Sequence, residues 1–411
     1  MSSTPQNPHL NPVSPENLLN PFLLYKTLRD CNPVHWSSEL QAWLITRHED
    51  VAACFRDPRL SADRTKLFEY QVPGMDPAVV KDFVRYARLQ MAMKDGAEHL
   101  RLRRQANPGF APQVLDTWRP AIRHLMEELV ERVQARGRME LVKEISYQLP
   151  PLVIAAFFGI PAEDRERFQA WSTPLAEYAS PPVGADMLEL ARRANTAMVE
   201  FGDYLARLVE ERRRAPGEDM LSQMIRVQEA GGMSNEELVA NALLMVFGGH
   251  ITTTDQLTNT VHDLLTHPEQ LQKLREDPGL AKSAAEESLR FSPAMPFHFR
   301  IAVEPIPLHG QTIPPGSIVF LGMASANRDP AVFPEPERYD ITRDLGGQKL
   351  MSFAFGPHQC VGAGLARREL EIALQVLLER LPGLRLDEEQ PPQPKCNSLL
   401  FRSFTSLPVR W

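Results

Sequence analysis

Apolar residues along the chain fall mostly at helical spacing. Trp118, Ile122, Leu125, Leu129 and Val133 recur at steps of three and four, which predicts an amphipathic helix stopped by Gly137. Met198, Phe201, Leu205 and Leu208 repeat the pattern ahead of Arg212-Arg213-Arg214, and Leu370, Leu374, Leu377, Leu378 and Leu381 repeat it ahead of Pro382-Gly383. A further helix is predicted to open at Ser234, where Ser234 and Glu237 form a capping box, and to run without proline to Thr266. At a rise of ~1.5 Å per residue it would span about 48 Å, the width of a domain. From Leu238 to Phe247 it is apolar nearly all round, which means burial. Its middle, Gly248-Gly249-His250-Ile251-Thr252-Thr253-Thr254, carries two glycines and a run of hydroxyls, all poor choices inside a helix. Such a local conflict in a buried central helix marks a place for function.

Strand patterns are short and few: Ala42 to Thr46, Arg300 to Val303, Ser317 to Leu321 and Phe404 to Trp411, with a turn at His309-Gly310. The order of elements predicts a mainly α fold with a minor β portion and argues against a doubly wound sheet. No repeat or low-complexity linker divides the 411 residues, so a single large domain over 1–411 is expected, with 1–20 as an extended N-terminal arm.

Charge and cysteine usage narrow the classes. Lys plus Arg number 45 against 52 Asp plus Glu, a net charge of −7, which excludes a nucleic-acid binder driven by overall charge. The four cysteines (Cys31, Cys54, Cys360, Cys396) have no C-x-x-C spacing, so neither a disulfide framework nor a four-thiolate zinc site is expected, and a reducing cytoplasm fits best. Met1-Ser2-Ser3-Thr4-Pro5 lacks the start of a signal peptide, and the apolar run from Leu152 to Ile160 is far shorter than the ~20 residues that span a bilayer. No membrane association is expected.

The chemistry gathers around Phe353-Ala354-Phe355-Gly356-Pro357-His358-Gln359-Cys360-Val361-Gly362, a glycine-bearing loop that leads straight into a helix. A thiolate there gains from free backbone N–H groups and the positive helix end, which lower its pKa. Such a cysteine can ligate a haem iron, with Gly356 and Gly362 letting a flat macrocycle approach the backbone; a buried structural cysteine is the alternative. Glu287-Ser288-Leu289-Arg290 places opposite charges three apart on one helical face, as any solvated surface pair also would. His99 and Arg103 stand four apart in a basic stretch suited to anionic oxygens.

Together, and in this order along nearly the whole chain, these segments resemble the cytochrome P-450 family of haem-thiolate monooxygenases, in its soluble bacterial form. Asn20-Pro21-Phe22, the stretch from Trp43 to Val51, Phe158-Gly159-Ile160-Pro161 and Leu407-Pro408-Val409 extend the match. The resemblance implies the cytochrome P-450 fold, with a long central helix over haem b, and Cys360 as the axial ligand of its iron. It makes Glu287 and Arg290 a buried structural pair. His99, Arg103, Arg300 and His358 then contact the haem propionates through charge-assisted hydrogen bonds, and Phe353, Gly356 and Gly362 frame the ligand loop. The stretch from Gly248 to Thr254, Gly249 included, becomes an oxygen groove in which the Thr252 hydroxyl holds dioxygen and relays protons.

Two positions depart from that pattern. Where the family usually has Asp or Glu before the threonine, this chain has Ile251, which cannot carry a proton. His250 and Asp255 are the candidates for the missing role, Asp255 because it lies one turn on from Ile251; water with Thr252 is the simpler route. An atypical outcome such as oxidative coupling or ring formation is the sharper reading. Ala354 replaces the usual glycine and calls for an ordinary backbone angle there.

By the same resemblance the substrate pocket draws on Leu67, Phe68, Leu244, Phe247, Gly248, Met295, Phe297 and Leu400, nearly all apolar, which predicts a lipophilic substrate of moderate size. Macrolides, terpenoids, fatty acids and carrier-bound peptides all fit. Arg85, Arg88 and His298 are candidates for holding a substrate carboxylate, or plain surface charges. Electrons are expected from a ferredoxin and its reductase, with Arg101, Arg104, Arg367 and Arg368 as a docking patch or as ordinary solvated arginines. The expected enzyme is a monomer of secondary metabolism that activates dioxygen to hydroxylate, epoxidise, couple or cyclise its substrate. A peroxygenase or isomerase needing no external electrons, and a non-catalytic haem sensor, are the rival readings.

Overall fold

A computed structural model describes residues 10–70, 72–179, 181–182, 184–345 and 350–411. The helices Arg119–Gln134, Met187–Arg214 and Ala363–Arg380 lie where the apolar spacing predicts them. Their stripes close a large core: Ile122, Met126, Leu129, Val130 and Val133 face Leu370, Leu374 and Leu377 across the contact between the first and last of these helices. Ala281–Phe291 and Ile251–Leu265 both pack on Ala363–Arg380, so three helices meet beneath the centre of the molecule.

The strands stand to one side. Val34–Ser37, Ala42–Ile45, Ile318–Gly322, Phe297–Ala302 and Leu60–Ser61 form a five-stranded sheet in that spatial order. Ala42–Ile45 runs parallel to Ile318–Gly322, in the register Ala42 to Ile318, and the other pairings are antiparallel. The His309-Gly310 turn joins Ile306–Leu308 to Gln311–Ile313, with both turn residues at positive φ (48° and 75°), as the twist of a tight hairpin requires. Phe404 to Trp411 is not one strand. Ser403–Ser406 pairs with Gln393–Lys395, whereas Pro408–Arg410 joins Arg138–Glu140 and Arg385–Leu386.

Two expectations are corrected. The capping box at Ser234 and Glu237 forms, but the helix it starts ends at Gly248, and a second one, Ile251–Leu265, follows after Gly249 and His250. The N-terminal arm is not extended throughout: Ser14 caps a helix over Pro15–Leu19, and residues 1–9 lie outside the described part. Among the described residues no helix is long and apolar enough to cross a membrane.

Candidate active site

The central break is where the glycine pair stands. His250 N–H bonds to Phe247 O, three residues back, and the regular ladder resumes only with Thr254 N–H to His250 O. His250 takes ψ −79°, outside helical values. A Cβ on Gly249 would meet Ile154 Cδ1 at 3.1 Å, so the neighbouring helix Leu149–Phe157 packs against bare backbone there. A Cβ on Gly248 would meet nothing within 4 Å, because Gly248 faces a cavity of about 410 Å³. The Thr252 hydroxyl donates to Gly248 O at 2.9 Å across the break, which holds it on the cavity wall.

Cys360 stands on the same cavity. Its exposed surface is cavity wall rather than the outside of the molecule, and its thiol accordingly behaves as buried. The loop is closed by Cys360 N–H to Phe353 O at 2.9 Å and Gln359 N–H to Gly356 O at 3.1 Å. Gly356 has φ 74°, and a side chain on it would crowd Phe55 O at 3.2 Å; its role here is the turn and the approach of Phe55, not clearance over the cavity. Ala354 does not take the ordinary angle expected of it: φ is 57°, a left-handed conformation that costs alanine about 1 kcal/mol or more. The thiol pKa is likewise raised rather than lowered, since burial outweighs the N–H groups of Gly362 and Ala363 and the charge of Arg103. The loop by itself therefore does not lower the thiol's pKa; a metal cation bound to the sulfur would favour the thiolate.

A cluster of cationic side chains occupies one edge of the cavity. His99 and His358 stack at 3.8 Å between ring centroids. Arg64 and Arg300 each place Nη1 3.2 Å from His298 Nδ1. Arg64, His99, Arg103, His298 and His358 line the cavity. Asp95 is the carboxylate in reach, 3.9 Å from His358, and it already accepts from Ser61 Oγ and Ala62 N–H. Burial, joined by repulsion from neighbouring cations, pushes Arg64 to about 9, His358 to about 3 and His298 well below 6.5, and burial against the pull of Asp95 lowers Arg300 to about 10. Arg64 Nε and Arg300 Nη2 are buried without a partner. This is a deficit of negative charge, and a ligand bringing carboxylates to that edge and a metal to Cys360 would answer it.

Beneath the cysteine helix, Arg290 grips Glu287 with two 2.8 Å bonds and donates further to the carbonyls of Asn327, Pro336 and Arg338. Arg343 adds a second cation to Glu287 at 3.2 Å. Both members of the pair are at most 2% exposed, so this is a buried network and not a surface pair.

The family model described as Cytochrome P450 matches residues 67–278 and 279–407. The chain belongs to the cytochrome P450 family. It is 38% identical to a vitamin D(3) 25-hydroxylase of Pseudonocardia autotrophica, covering 95% of this chain and 93% of that one. To a biotin biosynthesis cytochrome P450 of Bacillus subtilis it is 35% identical, covering 97% and 98%. Among solved structures, P450BioI in complex with hexadec-9Z-enoic acid ligated acyl carrier protein superposes with a TM-score of 0.87 at 32% identity, covering 96% of this chain and 99% of that one. This cytochrome P450 is thus an oxidoreductase of the bacterial monooxygenase family, whose cofactor is a haem-thiolate.

Within this P450 the predicted residues divide. Phe68, Leu244, Phe247, Gly248, Gly249, Ile251, Thr252, Met295, Phe297, Phe353, Gly362 and Leu400 line the cavity, whereas Leu67 and Gly356 do not. Neither candidate for the missing acid reaches it. His250 is fully buried between Tyr147 and Phe168 with both ring nitrogens unpartnered, and Asp255 turns toward the C-terminal strands, 3.3 Å from Lys395 Nζ. Of the supposed docking arginines, Arg101, Arg367 and Arg368 are paired to Glu237, Glu286 and Asp116. Arg85 and Arg88 lie outside the cavity, paired to Asp82 and Glu69. Two ionisable lining residues were missed. Arg64 sits in irregular chain with no motif around it, and Glu369 reads as an ordinary helix residue. Among the described residues Glu369 is the carboxyl that lines the cavity; its Oε2 is buried without a partner, and burial holds it well above the usual carboxylate range.

Proposed function

We propose that this P450 binds haem b through Cys360 and oxidises a lipophilic small molecule of secondary metabolism, with electrons from a ferredoxin and its reductase. The supporting observation is the juxtaposition of the Cys360 sulfur, an edge of cations with orphaned nitrogens and a broken helix carrying Thr252 around one cavity. Arg64, His99, Arg103, Arg300 and His358 would hold the propionates. The haem-thiolate, when bound, supplies the activation of dioxygen.

The chain's own residues do the rest. Thr252 Oγ1, fixed by Gly248 O, presents a hydroxyl where the helix opens. Ile251 moves no proton, and His250 and Asp255 face elsewhere. Burial raises the Glu369 pKa well above the usual carboxylate range, which favours the protonated carboxyl on the cavity wall. Apolar side chains on the opposite wall exclude water and decide which substrate carbon is brought forward. The chain is further read as one domain acting as a monomer.

The test is the absorption spectrum of the reduced carbon monoxide complex, which reports thiolate ligation. The native protein should give the thiolate band, and Cys360→Ser should lose it together with all turnover. A Cys360→Ser protein that keeps both would overturn the assignment. Turnover with hydrogen peroxide alone, faster than with ferredoxin and reductant, would favour the peroxygenase reading instead.

A further inference from the structure

We propose that Gln90 is a preorganised anchor for an uncharged oxygen of the substrate, so that the pocket selects lipophiles carrying a carbonyl or hydroxyl over free carboxylates and plain hydrocarbons. This rests on the haem-thiolate reading above and deepens it.

Gln90 follows the helix Lys81–Leu89 in an extended conformation (φ −77°, ψ 139°) and lines the cavity. It is 6% exposed, and among the described residues its side-chain amide has no hydrogen-bond partner. Its amide is open to the cavity rather than sealed in the core, so its hydrogen-bonding capacity is free for water or a ligand there. The backbone on both sides of it is clamped by one buried residue of the facing helix. Asn241 Oδ1 accepts from Met91 N–H at 2.8 Å, and Asn241 Nδ2 donates to Leu89 O at 3.1 Å. Asn241 is therefore the positioning residue and Gln90 the presented group. The wall around this point is apolar, formed by Phe83, Ala87 and Met91 from the same segment and by Leu244, one turn beyond Asn241.

Charge decides against a carboxylate. The cations that line the cavity are those at the propionate edge, which the cofactor's own carboxylates would occupy, and Arg85 and Arg88 are outside and paired. Glu369, the carboxyl on the wall among the described residues, is held in its neutral form by burial and offers an anion no countercharge. An uncharged oxygen can both accept from the Gln90 amide N–H and, as a hydroxyl, donate to its carbonyl. Such an oxygen is carried equally by a free molecule and by the thioester of an acyl carrier protein; the chemistry at Gln90 is the same.

Haem-loaded wild-type and Gln90→Met proteins should be titrated with methyl undecyl ketone, n-tridecane, sodium tridecanoate and a tridecanoyl-loaded acyl carrier protein. Binding is read by calorimetry and by the spin-state change. In Gln90→Met the ketone should weaken by about tenfold, the value of one buried neutral hydrogen bond, while the alkane changes by less than about twofold. Tridecanoate should bind the wild type more weakly than the ketone. Asn241→Leu should weaken the ketone and spare the alkane in the same way. Carrier-bound acyl chain favoured over ketone, and sensitive to Gln90→Met, assigns the source as the carrier; the reverse assigns a free molecule. Equal ketone binding in wild type and Gln90→Met, or tridecanoate as the tightest ligand, would overturn the proposal. A folded protein without the carbon monoxide thiolate band would instead sink the haem-thiolate reading; the band together with unchanged ketone binding sinks this inference alone.

Discussion

The two sides of the cavity are built by different physics. Below the cysteine loop, position is over-determined by charge: Arg290 answers Glu287 and three carbonyls, Arg343 doubles the salt bridge, and Asp340 N–H donates to the same carboxylate at 2.9 Å. Across the cavity, Phe68, Phe83, Leu244, Phe247, Met295 and Leu400 meet by shape alone, and the helix behind them is interrupted. A directional network holds a ligand loop in one place, whereas apolar contacts tolerate substitution of similar volume. The side that must keep one geometry is polar, and the side that must fit one family member's substrate is apolar.

The largest expected effect breaks the polar side. Arg290→Met leaves Glu287 buried with only Arg343 and frees the carbonyls of Asn327, Pro336 and Arg338. Urea unfolding should show a loss of about 3–5 kcal/mol, against about 1 kcal/mol or less for Arg101→Ala, which removes a half-exposed pair to Glu237. Equal losses for the two would mean that the network does not differ from a surface pair.

A second test separates the sides by pH. His250 lies next to the break with no acid beside it, and burial pushes its pKa from 6.5 down to about 4. Because the folded form binds its proton less well than the unfolded chain, the contribution is whole above about pH 6.5 and is lost as pH falls toward 4. The window corresponds to about 3 kcal/mol. His250→Leu should remove that part of the acid limb in melting curves recorded between neutrality and pH 4, with little change at pH 8. An acid limb that is the same in both proteins would show that His250 is hydrated or paired in solution.

Much of the site could be read from local chemistry. The capping box, the glycine pair and the cysteine before a helix are short-range signals, and each lies where the spacing predicts. What could not be read depends on distant chain. Arg64 is recruited by His298, 234 positions away, and nothing near it in sequence announces that partner. Asp255 follows Ile251 by one helical turn, but four residues overshoot a full turn by about 40°, and Lys395 from a C-terminal strand draws its carboxyl away from the cavity. Ala354 was expected at an ordinary angle because its own side chain prefers one; the closure of the loop by Cys360 N–H and Phe353 O imposes the other.

The smallest test turns on two neighbouring glycines that are alike in sequence and unlike in surroundings. Gly249→Ala places a methyl 3.1 Å from Ile154 Cδ1 and 3.2 Å from Cγ1, both buried, so either the helix Leu149–Phe157 or the break must shift. Overpacking of this kind should cost about 1–3 kcal/mol. Gly248→Ala meets nothing within 4 Å and ends a helix that alanine favours, so stability should hold or rise by up to about 1 kcal/mol. Its methyl enters the cavity beside the carbonyl that Thr252 holds, so its effect should appear in ligand affinity instead. Thermal unfolding of both variants, with titration of one lipophilic ligand, separates them. If the two alanines cost the same stability, the break is a property of glycine backbone alone, and the packing of Ile154 has no part in opening the helix.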